Sequence, residues 1–223
     1  MSSPLVIGIG GGTGSGKTTV AHVLCERCAP LAVSLLDLDS YYHDRSHLSI
    51  EERACVNYDE PYAIDHDLLS SHLNELLCGR VVQKPRYLFS THTRSREVDV
   101  VEPTPIIIVE GLFALWEPRI CSLMGLKIYV DADADLRFIR RLQRDLAERG
   151  RTAESVVAQY LQTVRPMHQQ HVEPTRMNAD VVVDTSSGSH SGLIEAVDRA
   201  LASRSLQFLD RRGGPPGRPD QRT

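Results

Sequence analysis

Eight residues near the start of the chain, Gly11-Gly12-Thr13-Gly14-Ser15-Gly16-Lys17-Thr18, constrain everything that follows. They read G-x-x-x-x-G-K-T, the pattern of a phosphate-binding P-loop, which requires a strand before it and a helix after it. Both are present. Leu5-Val6-Ile7-Gly8-Ile9 is a short apolar run of strand type, and Thr19-Val20-Ala21-His22-Val23-Leu24 can continue as a helix. The glycines let the backbone bend around an anion, and the free N–H groups of a helix N-terminus point at it. Lys17 has the reach for β- and γ-phosphates, and the Thr18 hydroxyl suits Mg²⁺. A ligand-free glycine-rich turn is the rival reading, and the agreement of spacing with context disfavours it. By itself the motif predicts an α/β chain that binds ATP or GTP.

Composition narrows the class. The 223 residues suffice for one α/β domain with a good core. A net charge of −4 gives no basic excess for nucleic acid, and no apolar run approaches membrane-spanning length. Met1-Ser2-Ser3-Pro4 runs straight into the first strand, so no signal peptide is expected and the protein is expected to be cytoplasmic. Five cysteines at uneven spacing suggest no disulfide framework. Cys25 and Cys28 form a C-x-x-C well inside the helix after the P-loop, without a second pair, which favours packing over metal or redox chemistry.

Further along, Ala32-Val33-Ser34-Leu35-Leu36 reads as a second strand that ends at two acids, Asp37 and Asp39. Ligands of open parallel sheets bind outside the carboxyl ends of strands, so an acid there can face the P-loop. Periodicity does not choose between the two. Ser49 suits an N-cap, Asn57 to Pro61 a turn, and Asp65 the cap of a leucine-rich helix closing at Gly79. Val81-Val82, Arg86 to Phe89 and Glu97 to Val101 look like short strands of a β insert over residues 81–101. The polar, basic loop Ser90 to Arg96 lies between them. That loop reads equally as a holder of an acceptor substrate or as a solvated hairpin tip.

Pro105 to Gly111 carries the second strong signal. Ile106-Ile107-Ile108-Val109 marks a strand buried on both faces, and it ends in Glu110. A carboxylate buried there is costly without a metal or a donor, and it suits a Mg²⁺ partner. Leu126 to Val130 is the next strand. The helix after it carries Leu136, Ile139, Leu142 and Leu146 as its apolar stripe. Six arginines, Arg137, Arg140, Arg141, Arg144, Arg149 and Arg151, crowd this region and suit a lid over a γ-phosphate, placed over about residues 140–165. A solvated charged helix is the alternative. Thr152 to Gln170 continues as helix, with Pro166 expected to kink or end it. Ala179 to Val183 is the last strand and residues 193–209 a closing helix. Residues 1–210 form one domain with no internal repeat, and 211–223 should be a disordered tail.

From about residue 4 to about residue 184 the chain resembles the uridine kinases. The likeness is carried by the P-loop, Asp39-Ser40-Tyr41-Tyr42, Asn57-Tyr58-Asp59, Tyr87-Leu88-Phe89 with His92-Thr93-Arg94, and Val109-Glu110-Gly111. It continues through Val130 to Asp135, Arg140 to Asp145, Glu148 to Arg151, Gln159-Tyr160, Val164 to His168 and Glu173-Pro174-Thr175. The resemblance implies a P-loop kinase fold with a mostly parallel sheet, an inserted β-hairpin and an arginine-rich lid. It implies transfer of the γ-phosphate of ATP or GTP to the 5′-hydroxyl of uridine or cytidine with Mg²⁺, often in a homo-tetramer. The family's catalytic aspartate falls on Asp39. Asp59 with Arg141 matches the ribose grip, and Tyr87 and His92 the readers of the pyrimidine. Tyr42, Phe89, Arg151 and Gln159 line that pocket. Arg144 and Arg149 match lid residues near the triphosphate. Lys17, Thr18 and Glu110 complete the donor half.

This chain departs from the family at three places. Tyr62 and Ile64 stand where the family carries Asp and Phe, and are expected to alter the wall near the ribose. Leu88 replaces an acid. Asp184-Thr185-Ser186-Ser187-Gly188 replaces Pro-Arg-Gly-Gly near the expected donor base. Three rivals remain: a phosphoribulokinase-like enzyme acting on another small alcohol, a GTPase-type switch, which would need an Asn-Lys-x-Asp motif that is lacking, and a family member that binds nucleotide without turnover.

Overall fold

The computed structural model describes residues 3–205. The expected tail at 211–223, and the end of the closing helix, lie outside the described residues.

Five parallel strands form the central sheet in the order β2-β5-β1-β6-β7: β1 (Leu5–Gly11), β2 (Val33–Asp37), β5 (Ile106–Glu110), β6 (Leu126–Asp131) and β7 (Val181–Asp184). A two-stranded antiparallel ribbon, β3 (Val82–Leu88) and β4 (Thr93–Val101), precedes β5. The helices are α1 (Lys17–Arg27), α2 (Ile50–Ala54), α3 (His66–Leu77), α4 (Pro118–Cys121), α5 (Ala134–Glu148), α6 (Ala153–Gln159), the short α7 (Arg165–Met167) and α8 (His190–Ser205).

Strand alternation sorts the core into two layers. Val6, Leu36, Ile107 and Val109 turn toward Leu69, Leu73 and Leu76 of α3. Ile7, Ile9, Ile108, Ile128 and Val130 turn toward Val20 and Leu24 of α1 and toward Val197 and Ala200 of α8. Cys25 and Cys28 pack in this second layer as free thiols, which is the packing role expected of them. Register then fixes the chemistry. Ile9 and Asp37 both pair with Glu110, so the ends of β1, β5 and β2 lie side by side where the P-loop leaves the sheet.

Local signals are realised at helix ends. Ser49 and Glu52 form a reciprocal capping box, and Asp65 accepts from the Leu68 N–H. Gly79, at φ 77°, closes α3 while the Arg80 N–H reaches back to Glu75 O.

Three expectations are corrected. The pieces predicted between residues 81 and 101 merge into two long strands with a bulge between Pro85 and Tyr87, so Thr93 to Arg96 lie in β4 rather than in a loop. Pro166 does not end its helix. The chain stays helical through it, with π-helical turns at Tyr160–Val164 and His168–Val172 on either side. The third correction inverts α5. The leucine stripe was to be its inner face, yet Ile139 and Leu146 are exposed and Leu136 and Leu142 only half-buried. Arg137, Arg141 and Asp145 are the buried positions. The reason lies underneath: α5 rests on the polar P-loop, not on an apolar layer. A Cβ on Gly12 would meet Arg137 Nη1 at 2.4 Å.

Ile108, fully buried in the middle of β5, reports on the integrity of this sheet. Ile108→Ala is expected to lower the unfolding free energy by roughly 2–5 kcal/mol in urea titration. A loss below about 1 kcal/mol would mean that the layer is not packed as described.

Candidate active site

The P-loop is shaped by its glycines. Gly14 and Gly16 adopt φ of 72° and 90°, and a Cβ on Gly14 would lie 2.2 Å from Arg137 O, so side chains are excluded at Gly14 on two counts. Lys17 Nζ donates to Gly12 O at 2.9 Å, curling over the loop. Thr18 Oγ1 donates to Glu110 Oε1 at 3.1 Å, joining the loop to the end of β5. Behind the loop, Thr185 Oγ1 donates to Ser15 O at 2.7 Å, and Arg140 Nη2 donates to Thr185 O at 2.9 Å. Thr185 thereby buttresses the loop.

The structure separates the two acids after β2. Asp37 is engaged by Lys84 of β3 and by the Ser40 hydroxyl. Asp39, on the turn Leu38–Tyr41, lies in the field of Lys17, Arg149 and Arg144. Burial raises its carboxyl above the usual value, and those cations oppose the rise. Burial likewise raises Glu110, with Lys17 opposing, and lowers Lys17, with Glu110 and Asp39 opposing. Among the described residues no three His, Cys, Asp or Glu side chains gather into a metal site of their own. Thr18, Glu110 and Asp39 do offer hard oxygen ligands. Mg²⁺ is commonly held by one or two carboxylates plus the phosphates of a substrate, and this donor set fits that pattern.

Opposite the loop lies an aromatic box. The Tyr42 ring sits 5.0 Å from Tyr87 and 5.7 Å from Tyr58, and Phe89 lies 5.4 Å from Tyr87. His92 stacks on Tyr58 at 4.6 Å, its backbone in the left-handed region at φ 54°. Burial, with Arg53 and Arg151 nearby, lowers the His92 pKa and favours its neutral ring. The hairpin tip is tied down rather than free. Arg53 Nη1 donates to Thr91 O at 2.6 Å, and Arg94 Nε donates to Tyr42 O at 2.9 Å. Beside the box, Asp59 accepts from Thr163 Oγ1 at 2.8 Å and from Gln159 Nε2 at 3.4 Å.

Arginines bridge the two halves. Arg141 donates to Thr13 Oγ1 at 3.3 Å on the loop and to Gln159 Oε1 at 2.9 Å on the other side. Arg151 also reaches Gln159. The Arg149 guanidinium lies 4.9 Å above the Phe89 ring. Arg144 donates to Asp145.

Contacts join several of the residues singled out in the sequence: the P-loop to Arg141, Arg141 and Arg151 to Gln159, Gln159 to Asp59, and Arg149 to Phe89. At the expected ribose wall, Tyr62 is 70% exposed against Trp116, and Ile64 is buried in the core. Sequence reading missed Tyr58, Thr163, Thr185 and Asp145. Thr163 follows Gln159 by four residues and so shares its helical face, a signal that was available.

A P-loop on the central strand β1, an acid at the end of the adjacent β5, a second on the turn after β2 and an arginine-bearing helix across the loop define a P-loop kinase. Solved structures share the fold. They include a phosphoribulokinase from Rhodobacter spheroides (TM-score 0.63, 17% identity, 82% of this chain and 70% of that one). A D-glycerate 3-kinase from Cryptococcus neoformans gives a TM-score of 0.61 at 18% identity, covering 82% of this chain and 87% of that one. The sequence matches the Phosphoribulokinase / Uridine kinase family over residues 6–190, and the chain belongs to that family. A uridine kinase of Oceanobacillus iheyensis is 50% identical over 208 residues, covering 93% of this chain and 97% of the relative. One from Brevibacillus brevis is 52% identical over 183 residues, covering 82% and 86%.

The raised Glu110 pKa has a thermodynamic consequence. The folded state holds that proton more tightly than the unfolded state, so ionising Glu110 costs stability as pH rises from its ordinary value of 4.5 through the raised one. Glu110→Gln lacks this cost. Without nucleotide, the melting temperature of Glu110→Gln relative to the parent is expected to climb between pH 4.5 and neutrality. A difference that stays flat across that range would contradict the burial argument.

Proposed function

We infer that the protein is a uridine kinase, moving the γ-phosphate of ATP to the 5′-hydroxyl of uridine or cytidine and leaving UMP or CMP. One observation carries this reading. Arg141 joins the P-loop to Gln159 beside Asp59 and the aromatic box, in a chain half-identical to uridine kinases along most of its length.

The chemistry follows from the parts. The P-loop amides and Lys17 would hold the triphosphate, and Thr18, Asp39 and Glu110 would hold Mg²⁺. Bound there, Mg²⁺ would neutralise charge on the phosphate oxygens. Asp59, assisted by Arg141 and Gln159, takes the ribose hydroxyls and brings the 5′-oxygen toward Asp39. Asp39 accepts the hydroxyl proton as transfer proceeds. Arg144 and Arg149 absorb charge that spreads over the transferred group, and the segment around residues 140–165 acts as a lid that keeps water from competing as acceptor. Tyr42, Tyr87, Phe89 and His92 receive the flat base. In the neutral form that burial favours, His92 offers both a donor and an acceptor nitrogen to a pyrimidine edge. GTP is a second donor on this reading, and the enzyme is a cytoplasmic homo-oligomer. Among the described residues no helix is long and apolar enough to cross a membrane.

The aromatic box separates this reading from a phosphoribulokinase-like one, because a sugar phosphate offers no ring to stack. With ATP and Mg²⁺, uridine or cytidine is expected to yield the 5′-monophosphate, and ribulose 5-phosphate no product. Product from the sugar phosphate alone would reverse the assignment. His92→Ala is expected to raise the uridine KM about tenfold while the ATP KM stays within about twofold. An equal rise in both would mean that the hairpin does not read the base.

A further inference from the structure

Asp145 has no part in the scheme above, yet it lies within 4 Å of four of the lid arginines at once. It sits on the inner face of α5 with no exposed surface, the most completely buried carboxylate in the crevice. Its Oδ1 accepts from Arg144 Nε at 3.0 Å and Nη2 at 2.8 Å, with Arg149 Nε 3.7 Å away. Its Oδ2 lies 3.5 Å from Arg141 Nε and 3.7 Å from Arg151 Nη1. Four guanidinium groups thus share one carboxylate. Its backbone carbonyl also accepts the Arg151 N–H at 3.2 Å, folding the turn after α5 back onto the helix.

The two oxygens are used unequally. Oδ1 is satisfied. Oδ2 and the Arg141 Nε that faces it are both buried without a hydrogen-bond partner, across a gap slightly too long for one. The arginines are unequal too. The Arg141 side chain is 6% exposed, whereas Arg144 and Arg149 are each 34% exposed and free to turn outward. Of these four, Arg141 is the one that joins Thr13 of the P-loop to Gln159 beside Asp59.

We propose that Asp145 is the positioning residue of the lid. It gathers Arg141, Arg144, Arg149 and Arg151 before nucleotide arrives, keeps Arg141 on the line between P-loop and ribose site, and yields Arg144 and Arg149 to the triphosphate on closure. The proposal rests on the kinase reading above. Like-charged guanidiniums at this spacing repel one another, and without the carboxylate they would splay into solvent and need ordering at each turnover. As phosphate oxygens take Arg144 and Arg149, Oδ1 is released, and the short gap between Oδ2 and Arg141 can close into a hydrogen bond. Asp145 touches no reacting atom, so its effect is on where the arginines stand.

The test compares the full chain with Asp145→Asn, which keeps the shape and removes the charge, and with Asp145→Glu, which keeps the charge and shifts it by one carbon. Two readouts are taken. The first is amide hydrogen exchange of the ligand-free proteins, which needs no activity. Residues 149–155 are expected to exchange at least about tenfold faster in Asp145→Asn, with strands β1 and β5 unchanged and Asp145→Glu intermediate. The second is steady-state kinetics with uridine and ATP. Asp145→Asn is expected to lose about tenfold or more in kcat and to raise the uridine KM severalfold, while the ATP KM stays within about twofold. Unchanged exchange at 149–155 in a folded Asp145→Asn protein would overturn the proposal. So would a loss of activity that merely follows the folded fraction with both KM values intact. If Asp145→Asn does not fold, Asp145→Glu decides alone: parent-like exchange and kinetics overturn the proposal, and intermediate values support it. If the parent protein phosphorylates neither uridine nor cytidine, the kinase reading fails, while the exchange comparison still decides the role of Asp145.

Discussion

The molecule depends on the company kept by Lys17. One ammonium stands at the carboxyl edge of the sheet in the field of two carboxylates, Glu110 and Asp39, and burial disfavours the charge on all three. None would be tolerated alone in that place. Together they compensate one another, and sheet register keeps them together, because Glu110 pairs with Ile9 on one side and with Asp37 on the other. Lys17 donates to the carbonyl of Gly12, and Glu110 accepts from Thr18. These are weak partners that an arriving phosphate and Mg²⁺ can replace. The site is therefore charged for a ligand in advance of meeting it.

The same economy of charge organises the surroundings. Asp37 would add a third carboxylate to the crevice, and it is instead occupied by Lys84, which also bolts the β3–β4 ribbon to the end of β2. Arg94 adds a second bolt through Asp65 and the carbonyls of Tyr41 and Tyr42. The aromatic box stands on these two arginine and lysine anchors, so the acceptor side has a fixed position relative to the phosphate side. Helix α5 completes the enclosure with its charged face inward.

Much of this was legible in the sequence. Leu5 to Lys17 specifies strand, loop and helix by itself, and the run Ile106 to Glu110 announces a buried strand with an acid at its end. Two things were not legible. Binary pattern assigned the apolar stripe of α5 to the inside, because pattern assumes an apolar neighbour. The neighbour is the P-loop, so Arg137, Arg141 and Asp145 point inward and Ile139 and Leu146 outward. The choice between Asp37 and Asp39 also lay beyond periodicity. It turns on Lys84, a residue 47 positions away in sequence that only the fold brings to Asp37. Likewise Tyr62, expected from the resemblance to alter the ribose wall, is exposed and packs on Trp116 instead.

The central claim is that Asp39, and not Asp37, is the carboxylate matched to the transferred phosphate. The most direct measurement is the single-turnover rate of UMP formation at saturating ATP, Mg²⁺ and uridine, taken on Asp39→Asn and Asp37→Asn side by side. The account predicts a fall of roughly a hundredfold or more for Asp39→Asn with ATP binding retained, and a much smaller fall for Asp37→Asn. A near-parent rate in Asp39→Asn would contradict it.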